Sequence, residues 1–286
     1  MKQTEYQLID SGNFRKLEQV GPYTIVRPAA QAVWSPRLPA KTWNAADAEF
    51  QRTSEGKGRW KFRNRLPNQW LIHWGPVSLE MRCTDFGHLG FFPEHHQSLE
   101  DLQTFIEGSH KKKEPLKALN LFAHTGAVSL FLASHGVHVT HCDASRTSVD
   151  WARVNAKHSN LEDAKIRWIV EDVRKFVARE ARRKAQYDII ILDPPSFGRG
   201  TKSEVWKIEE DLPRLMDELK AISVPNAYIK LSAHSAGYTP LALQNILRDH
   251  FPKHNGTQSG YEMIVSTKEK RPLPCGACAI LQPKDA

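Results

Sequence analysis

The pattern of hydrophobic and polar positions changes character near residue 98. Before that point, short segments alternate apolar and polar side chains as half-buried strands do, and turn-forming Gly and Pro separate them. The strands predicted there are 23–26, 70–74 and 77–83, with one short helix over 45–52 in the polar stretch between them. We therefore predict a small mainly-β domain over residues 1–85.

Beyond residue 98, predicted strands alternate with predicted helices. Strands are expected over 116–121, 137–142, 166–170, 188–192 and 227–232, and helices over 127–134, 148–159, 173–185, 204–222 and 240–250. The continuous apolar run 188–192 is typical of a strand covered on both faces. This alternation predicts an α/β fold with a doubly wound parallel sheet over residues 86–286, to which the last 30 residues would add a hairpin.

Composition supports a globular protein of ordinary solubility. Of its residues, 40% are hydrophobic and 25% are charged. The length of 286 residues favours two domains. No apolar run is long enough to span a bilayer, and the N-terminus lacks the apolar core of a secretory signal, so we expect a cytoplasmic protein. The net charge of +8 is compatible with a polyanionic partner but decides little alone.

Cysteine usage indicates a reducing compartment. The four cysteines are few and unevenly placed, which argues against a disulfide framework. Cys275 and Cys278 form one C-x-x-C pair, but a structural zinc site needs a second pair of ligands at matched spacing. Two free thiols near a terminal strand are the better interpretation.

Candidate ligand-binding residues follow the predicted strands in order, where an open α/β sheet binds its ligands. The turn 122–126 opens a helix, and its Gly126 permits close approach of a ligand to the backbone. Asp143 is placed to bind ribose hydroxyls and Asp172 to accept a hydrogen bond from an adenine amine. The fourth candidate is the loop 193–197, which follows the predicted strand 188–192 and has the sequence Asp-Pro-Pro-Ser-Phe.

Each of these features also has an ordinary structural explanation. Gly126 could serve only a tight turn, Asp143 or Asp172 could only cap a helix, and the Pro pair could only end a strand. Their order after four successive strands is stronger evidence than any one of them. Because the turn lacks the G-x-G-x-x-G pattern that a pyrophosphate requires, the ligand expected is an adenosine without pyrophosphate, S-adenosylmethionine (SAM).

The stretch 116–200 resembles the class I methyltransferases of the large-subunit rRNA methyltransferase group. This group is typified by the bacterial 23S rRNA cytosine-5 and guanine-N7 enzymes. Residues 120–126 resemble the cofactor-binding turn of that group, Asp143-Ala144-Ser145 its ribose-binding strand end, and 193–197 its catalytic loop. Upstream, 87–94 resembles the segment that covers the cofactor. Two further segments, 27–34 and 273–277, resemble a shorter subfamily without the RNA-binding PUA module, for which this chain has no room.

The resemblance implies a Rossmann-like SAM-dependent methyltransferase that acts on RNA. The catalytic residues implied are Asp193, Pro194, Pro195 and Phe197, of which Phe197 would either stack on a base or pack under its loop. The cofactor-binding residues implied are Phe92, Glu94, Asn120, Phe122, His124, Thr125, Gly126, Asp143, Ala144, Ser145, Asp172 and Asp193.

One segment of the sequence narrows the choice of the atom that accepts the methyl group. Cytosine C5 is a poor nucleophile, so the cytosine-5 enzymes add a Cys thiolate to C6, and that Cys follows the strand after the Asp-Pro-Pro loop. Here the corresponding residues, 228–238, include no Cys. A nitrogen or another lone-pair acceptor is therefore expected. His234 in this segment could act as a base, contact the substrate or make only a structural hydrogen bond.

No metal site is expected. His88, His95 and His96 are close in sequence, but no carboxylate or Cys at useful spacing completes a ligand set. Three other functions remain open: methylation of a protein or small molecule, SAM binding without catalysis, and a nicotinamide oxidoreductase, which the missing glycines disfavour.

Overall fold

The computed structural model describes residues 5–52, 58–109, 114–200, 204–267 and 271–284, which divide into two compact units. The first comprises Met1–Glu94 and Ile264–Cys275, and the second comprises His95–Met263 and Gly276–Ala286. The predicted boundary was residue 85, with the whole C-terminal part in the second domain. The structure differs because Val265 and Leu273 in the returning segment pack with Leu8 in one hydrophobic cluster.

The first unit is mainly β-structure, as predicted. Its five-stranded sheet contains β1 (Tyr6–Gly12), β2 (Arg15–Val20), β3 (Tyr23–Pro28), β4 (Ala48–Arg52) and β5 (Gly58–Phe62) in that spatial order. Neighbouring strands are antiparallel except β3 and β4, which are parallel. Two further strands, β6 (Trp70–Trp74) and β7 (Val77–Met81), form a separate antiparallel pair.

The helix predicted over 45–52 is wrong. A short helix, α1 (Ala40–Asn44), ends before this segment, and residues 48–52 form β4. Ala48 and Phe50 are buried at a spacing of two residues, which is the strand period. The ring of Phe50 packs against Trp60 of β5 at 5.1 Å, so a partner that is distant along the chain decides the local structure.

The second unit contains most of the doubly wound sheet that the sequence predicts. Seven strands lie in the order β10, β9, β8, β11, β14, β16, β15. Their bounds are β8 (Lys117–Leu121), β9 (His138–Asp143), β10 (Ile166–Val170), β11 (Tyr187–Leu192), β14 (Ser223–Ala233), β15 (Thr257–Ser266) and β16 (Pro272–Gln282). The end of β15 and the start of β16 belong to the first unit. The first five in spatial order are parallel, whereas β16 is antiparallel to β14. The α/β fold class is therefore confirmed.

Six helices accompany this sheet in the described part of the chain. They are α2 (Gln97–Gly108), α3 (Ala127–Ser134), α4 (Arg146–His158), α5 (Val173–Arg182), α6 (Ile208–Leu219) and α7 (Pro240–His250). The helix predicted over 204–222 begins later than expected, because β13 (Val205–Lys207) pairs with β12 (Phe197–Arg199) in a short hairpin. None of the described helices combines the length and the apolar character needed to cross a membrane.

The strand order fixes where a ligand can bind. The chain places β9 and β10 on one side of β8 and places β11 and β14 on the other. Parallel sheets bind ligands in the crevice at the carboxyl ends of the strands where the order reverses. Here those strands are β8 and β11, and the residues after them are the predicted cofactor turn and the Asp-Pro-Pro loop.

Candidate active site

The turn after β8 has an unusual backbone. Phe122, His124 and Gly126 adopt φ angles of 57°, 49° and 86°, in the left-handed region that side chains other than glycine rarely occupy. Strained backbone of this kind concentrates at functional sites. Gly126 begins α3, and a Cβ at this position would lie 2.9 Å from the Cβ of Ala152. The turn therefore requires glycine at 126 both for its conformation and for its packing.

Asp143, at the end of β9, is tied to this turn. Its Oδ2 accepts a hydrogen bond from the backbone N–H of His124 at 2.8 Å, and its Oδ1 accepts one from the backbone N–H of Ser145 at 2.8 Å. Burial raises the pKa of the Asp143 carboxyl, and the two N–H groups oppose that shift. The structure thus places the predicted ribose-binding residues, with Ala144 between them, beside the predicted cofactor turn.

Two other predicted cofactor residues support the turn from within. The amide of Asn120 is buried and donates to Ser129 Oγ at 2.9 Å. Thr125 is also buried, and its carbonyl accepts a hydrogen bond from Asn155 at 2.9 Å. Direct contact of either residue with a cofactor stays a prediction.

Asp172 and Ser145 are helix caps. The Asp172 carboxylate accepts from the backbone N–H groups of Arg174 at 3.0 Å and Lys175 at 3.3 Å, and it also forms an ion pair with the Arg174 side chain. Ser145 caps α4 through the N–H of Ser148. The structural role that the sequence left open for Asp172 is therefore present, while its contact with adenine stays a prediction.

Asp193 lies at the centre of a hydrogen-bonded cluster. Its Oδ2 is 3.1 Å from His95 Nε2, and its Oδ1 accepts from Ser232 Oγ at 2.6 Å and is 3.3 Å from His234 Nε2. Burial opposes ionisation of this carboxyl, but His95 and His234 outweigh that effect and hold its pKa well below its usual range. The side chain is 19% exposed. Asp193 is thus an oriented carboxylate that a ligand can reach.

Of the three histidines considered in the sequence, His95 does meet a carboxylate in the fold, while the expectation of no metal site stays a prediction. One ligand atom each from His95, Asp193 and His234 lies within 4.8 Å of the others. The fold brings His95 to Asp193 across 98 positions of sequence, which the local spacing could not show. His124 lies near this cluster, and burial lowers its pKa to about 4 against the opposing effect of Asp193.

The rest of the Asp-Pro-Pro loop is held by Trp206. The indole Nε1 donates to the carbonyl of Pro195 at 2.7 Å, and the indole ring meets Phe122 of the cofactor turn at 4.8 Å. Pro194 is buried, whereas the side chain of Phe197 is 53% exposed. An exposed ring is better suited to stacking on a ligand than to packing under its own loop.

The two upstream residues predicted to cover the cofactor belong to the first unit. Phe92 meets the ring of His88 edge-on at 5.6 Å, and Glu94 is buried in the 3₁₀ turn Pro93–His96. Their contact with a cofactor stays a prediction.

Three residues that the sequence did not single out also belong to the site. Lys230 Nζ is 3.2 Å from His95 Nδ1 and 2.6 Å from Ser98 Oγ, and Trp206 holds the Asp-Pro-Pro loop. Lys230 is a charged residue inside the apolar run of β14, and this anomaly was visible in the sequence. Ser98 and Trp206 gave no comparable signal, because their partners lie on other elements.

The cysteines supply no activated nucleophile among the described residues, where none of the four forms a disulfide. Cys275 belongs to the first unit, and burial raises the pKa of its thiol to about 12. Burial also raises the pKa of Cys278 in β16. A thiolate is therefore not available from either residue at neutral pH.

Comparison with known proteins agrees with this geometry. The model of the family named Conserved hypothetical protein 95 matches residues 103–246, half of the chain. The crystal structure of a SAM-dependent methyltransferase from Agrobacterium tumefaciens is 40% identical and superposes with a TM-score of 0.91, covering 98% of this chain and 91% of that one.

Two curated relatives carry the name ribosomal RNA large subunit methyltransferase K/L. The protein of Syntrophotalea carbinolica is 29% identical over 161 residues, and that of Alteromonas mediterranea is 29% identical over 184 residues. These alignments cover 56% and 60% of this chain but only 21% and 25% of the relatives, so the chain spans about a quarter of their length or less. On the family match and the full-length structural match, the chain belongs to the Conserved hypothetical protein 95 family and is a SAM-dependent methyltransferase.

Proposed function

We propose that this methyltransferase acts on RNA, with ribosomal RNA as the substrate class, and that the acceptor is a nitrogen or another lone-pair atom. The relatives named as rRNA methyltransferases support the substrate class for the part of their length that this chain matches. The basic net charge of +8 is compatible with a phosphate backbone as partner. A cytoplasmic location fits such a substrate.

The observation that carries the choice of acceptor is the hydrogen-bonded Asp193. Within the resembling group, the cytosine-5 reaction needs a thiolate, whereas a guanine-N7 type of reaction uses a ring lone pair directly. His234, not a Cys, follows β14, and its Nε2 is 3.3 Å from Asp193 Oδ1. This arrangement favours a nitrogen acceptor, because a carboxylate can accept an N–H from the substrate but cannot add to a pyrimidine C6.

The residues present fit SAM. When bound, SAM supplies a methyl group on a sulfonium, which is already an activated leaving group. Gly126 begins α3, whose first backbone N–H groups can bind a carboxylate, and the Asp143 carboxylate offers acceptors for ribose hydroxyls. Asp193 would orient the acceptor base, and Phe197 would stack on it. In this mechanism the protein mainly positions the reactants and excludes water.

The first unit contains a surface suited to RNA. On β5, Trp60 and Phe62 are stacked with ring centroids 6.2 Å apart, and the side chain of Phe62 is 51% exposed. Arg59 and Lys61 on the same edge strand are exposed as well, and they lie on its opposite face because successive side chains alternate. Aromatic faces bind unpaired bases with little sequence preference, and cations bind the backbone. We assign RNA contact to this unit on that basis.

Transfer of a tritiated methyl group from SAM to ribosomal subunits, free rRNA, tRNA and total protein, followed by nucleoside analysis, tests the function. We expect label in an N-methylated nucleoside of rRNA. The variant Asp193→Asn should lose most of the label, while Asp188→Asn, at the opposite end of β11, should keep it. Label on protein alone would contradict the RNA substrate, and 5-methylcytidine would contradict the acceptor.

A further inference from the structure

Lys230 is a charged side chain buried in the central sheet. It is 1% exposed on β14, between the fully buried Ile229 and Leu231. Lysine is almost never fully buried unless its ammonium has partners. Here Nζ is 2.6 Å from Ser98 Oγ and 3.2 Å from His95 Nδ1. The ammonium is therefore directed at the start of α2 and at the histidine that contacts Asp193.

The directions of these hydrogen bonds follow from the atoms that can only accept. Ser98 Oγ is 2.8 Å from the carbonyl oxygen of His95, so the Ser98 hydroxyl donates there and accepts from Lys230. On the other side of the imidazole, the ionised Asp193 carboxylate only accepts. His95 must therefore carry a proton on Nε2, 3.1 Å from Asp193 Oδ2.

Two protonation states satisfy that requirement. Either a lysine ammonium donates to the bare Nδ1 of a neutral His95, or an imidazolium donates to a neutral lysine amine. The 2.6 Å separation of Lys230 Nζ and Ser98 Oγ is that of a charge-assisted hydrogen bond, so the proton is assigned to Lys230. His95 is then neutral and bridges a buried cation and a carboxylate.

We infer that Lys230 fixes His95 as the neutral Nε2–H tautomer and that His95 thereby positions the Asp193 carboxylate for the methyl acceptor. His95 and Lys230 act as positioning residues that do not touch the reacting atoms. The catalytic part of this inference rests on the proposed role of Asp193, whereas the tautomer itself does not. In the described part of the chain, titratable side chains near His95 include Asp193, His124 and His234, and those near Lys230 include Asp101 and Cys278.

The tautomer also bears on cation binding at His95, Asp193 and His234. A metal ion would need the Nε2 lone pair of His95, because Nε2 is the nitrogen that faces Asp193. A proton at Nε2 and an ammonium at Nδ1 leave His95 no lone pair for a ligand bond. The same atoms that could form a two-histidine, one-carboxylate site are thus used to hold Asp193.

Histidine ¹⁵N NMR of the wild-type protein, without RNA or SAM, tests the tautomer directly. We expect the His95 resonances of a neutral imidazole with its proton on Nε2. In Lys230→Met, a side chain of similar length, Nδ1 loses its ammonium donor, so the resonances should show that the Nε2–H tautomer is no longer fixed. An Nδ1–H tautomer, or an imidazolium at neutral pH, would overturn the inference. So would stoichiometric Zn²⁺ or Mn²⁺ binding that shifts the His95 resonances.

Activity measurements test the positioning role separately. Lys230→Met should lower kcat on the order of 10- to 100-fold with SAM affinity unchanged, since misplacing a catalytic group by about 1 Å has effects of this size. The double variant His95→Gln, Lys230→Met should recover part of that loss, because Gln donates an N–H to Asp193 and has no tautomer for Lys230 to fix. Lys220→Met, on the surface, is the matched control. A Lys230→Met enzyme with wild-type kcat, or a double variant without recovery, would refute the role.

Discussion

The backbone N–H of His124 and the Oδ2 of Asp143 are 2.8 Å apart, so one carboxylate joins the turn after β8 to the end of β9. The sequence presents these features as independent candidates, one for a glycine turn and one for a ribose hydroxyl pair. In the structure they form one assembly, and a change at Asp143 affects both.

We therefore expect Asp143→Ala to weaken SAM binding on the order of 100-fold, because it removes the proposed ribose acceptors and releases His124. Isothermal titration calorimetry with SAM and S-adenosylhomocysteine measures the effect. The control is Asp150→Ala, an exposed carboxylate on α4 whose partner is Arg153. Equal affinities of the two variants would contradict the assignment of Asp143.

Gly126 and Gly136 form a matched pair for testing the cofactor turn. Both have positive φ, 86° and 77°, but only at 126 would a Cβ meet another atom. We expect Gly136→Ala to cost about 1–2 kcal/mol of unfolding free energy from its backbone alone. Gly126→Ala should cost more and should also lose SAM affinity. Urea unfolding together with calorimetry checks both expectations, and unchanged SAM binding in Gly126→Ala would contradict the role of the turn.

Acid should destabilise the protein through its buried histidines. Burial lowers the pKa of His141 to about 3, so the folded state does not take up a proton that the unfolded state binds below about pH 6.5. Its contribution is therefore present above about pH 6.5 and is lost progressively as pH falls toward 3.

Between pH 7 and pH 5 this histidine should account for on the order of 2 kcal/mol of lost stability. His141→Gln should reduce the loss by that amount, measured as urea unfolding at both pH values. His138→Gln, at the exposed start of the same strand, should not. Equal pH dependence in the two variants would show that His141 does not govern the acid response.

Phe197 is the residue whose role the sequence left most open. Because its ring is 53% exposed, Phe197→Ala should weaken RNA binding several-fold while changing the unfolding free energy by less than about 0.5 kcal/mol. Fluorescence anisotropy with an rRNA fragment and thermal unfolding separate the two effects. Leu241→Ala, 65% exposed on α7, is the control. A destabilised variant with normal RNA binding would assign Phe197 to packing instead.

Much of the second unit could be predicted because its signals are local. The run 188–192 is apolar throughout, as a strand buried on both faces must be, and it became the core of β11. The error over 45–52 arose where local pattern was weak and the contact between Phe50 and Trp60 determined the strand. The return of 264–275 to the first unit likewise depends on contacts with Leu8 that no local pattern indicates.

For the site, strand order indicated where ligands bind but not which side chains meet. Asp143 and Asp193 followed from their places after β9 and β11. The contact of His95 with Asp193, however, depends on how the segment before α2 packs on the sheet. Lys230 stood out as a charge in an apolar strand, but its meaning required the position of His95.

The division of the chain also bears on how the protein is made. Residues Ile264–Cys275 complete the hydrophobic cluster around Leu8, and the following part of β16 pairs with β14. Since a ribosome releases the N-terminus first, β1 to β7 emerge long before the residues that finish their unit. We therefore expect the first unit to reach its final fold only after residues 264–275 have left the ribosome.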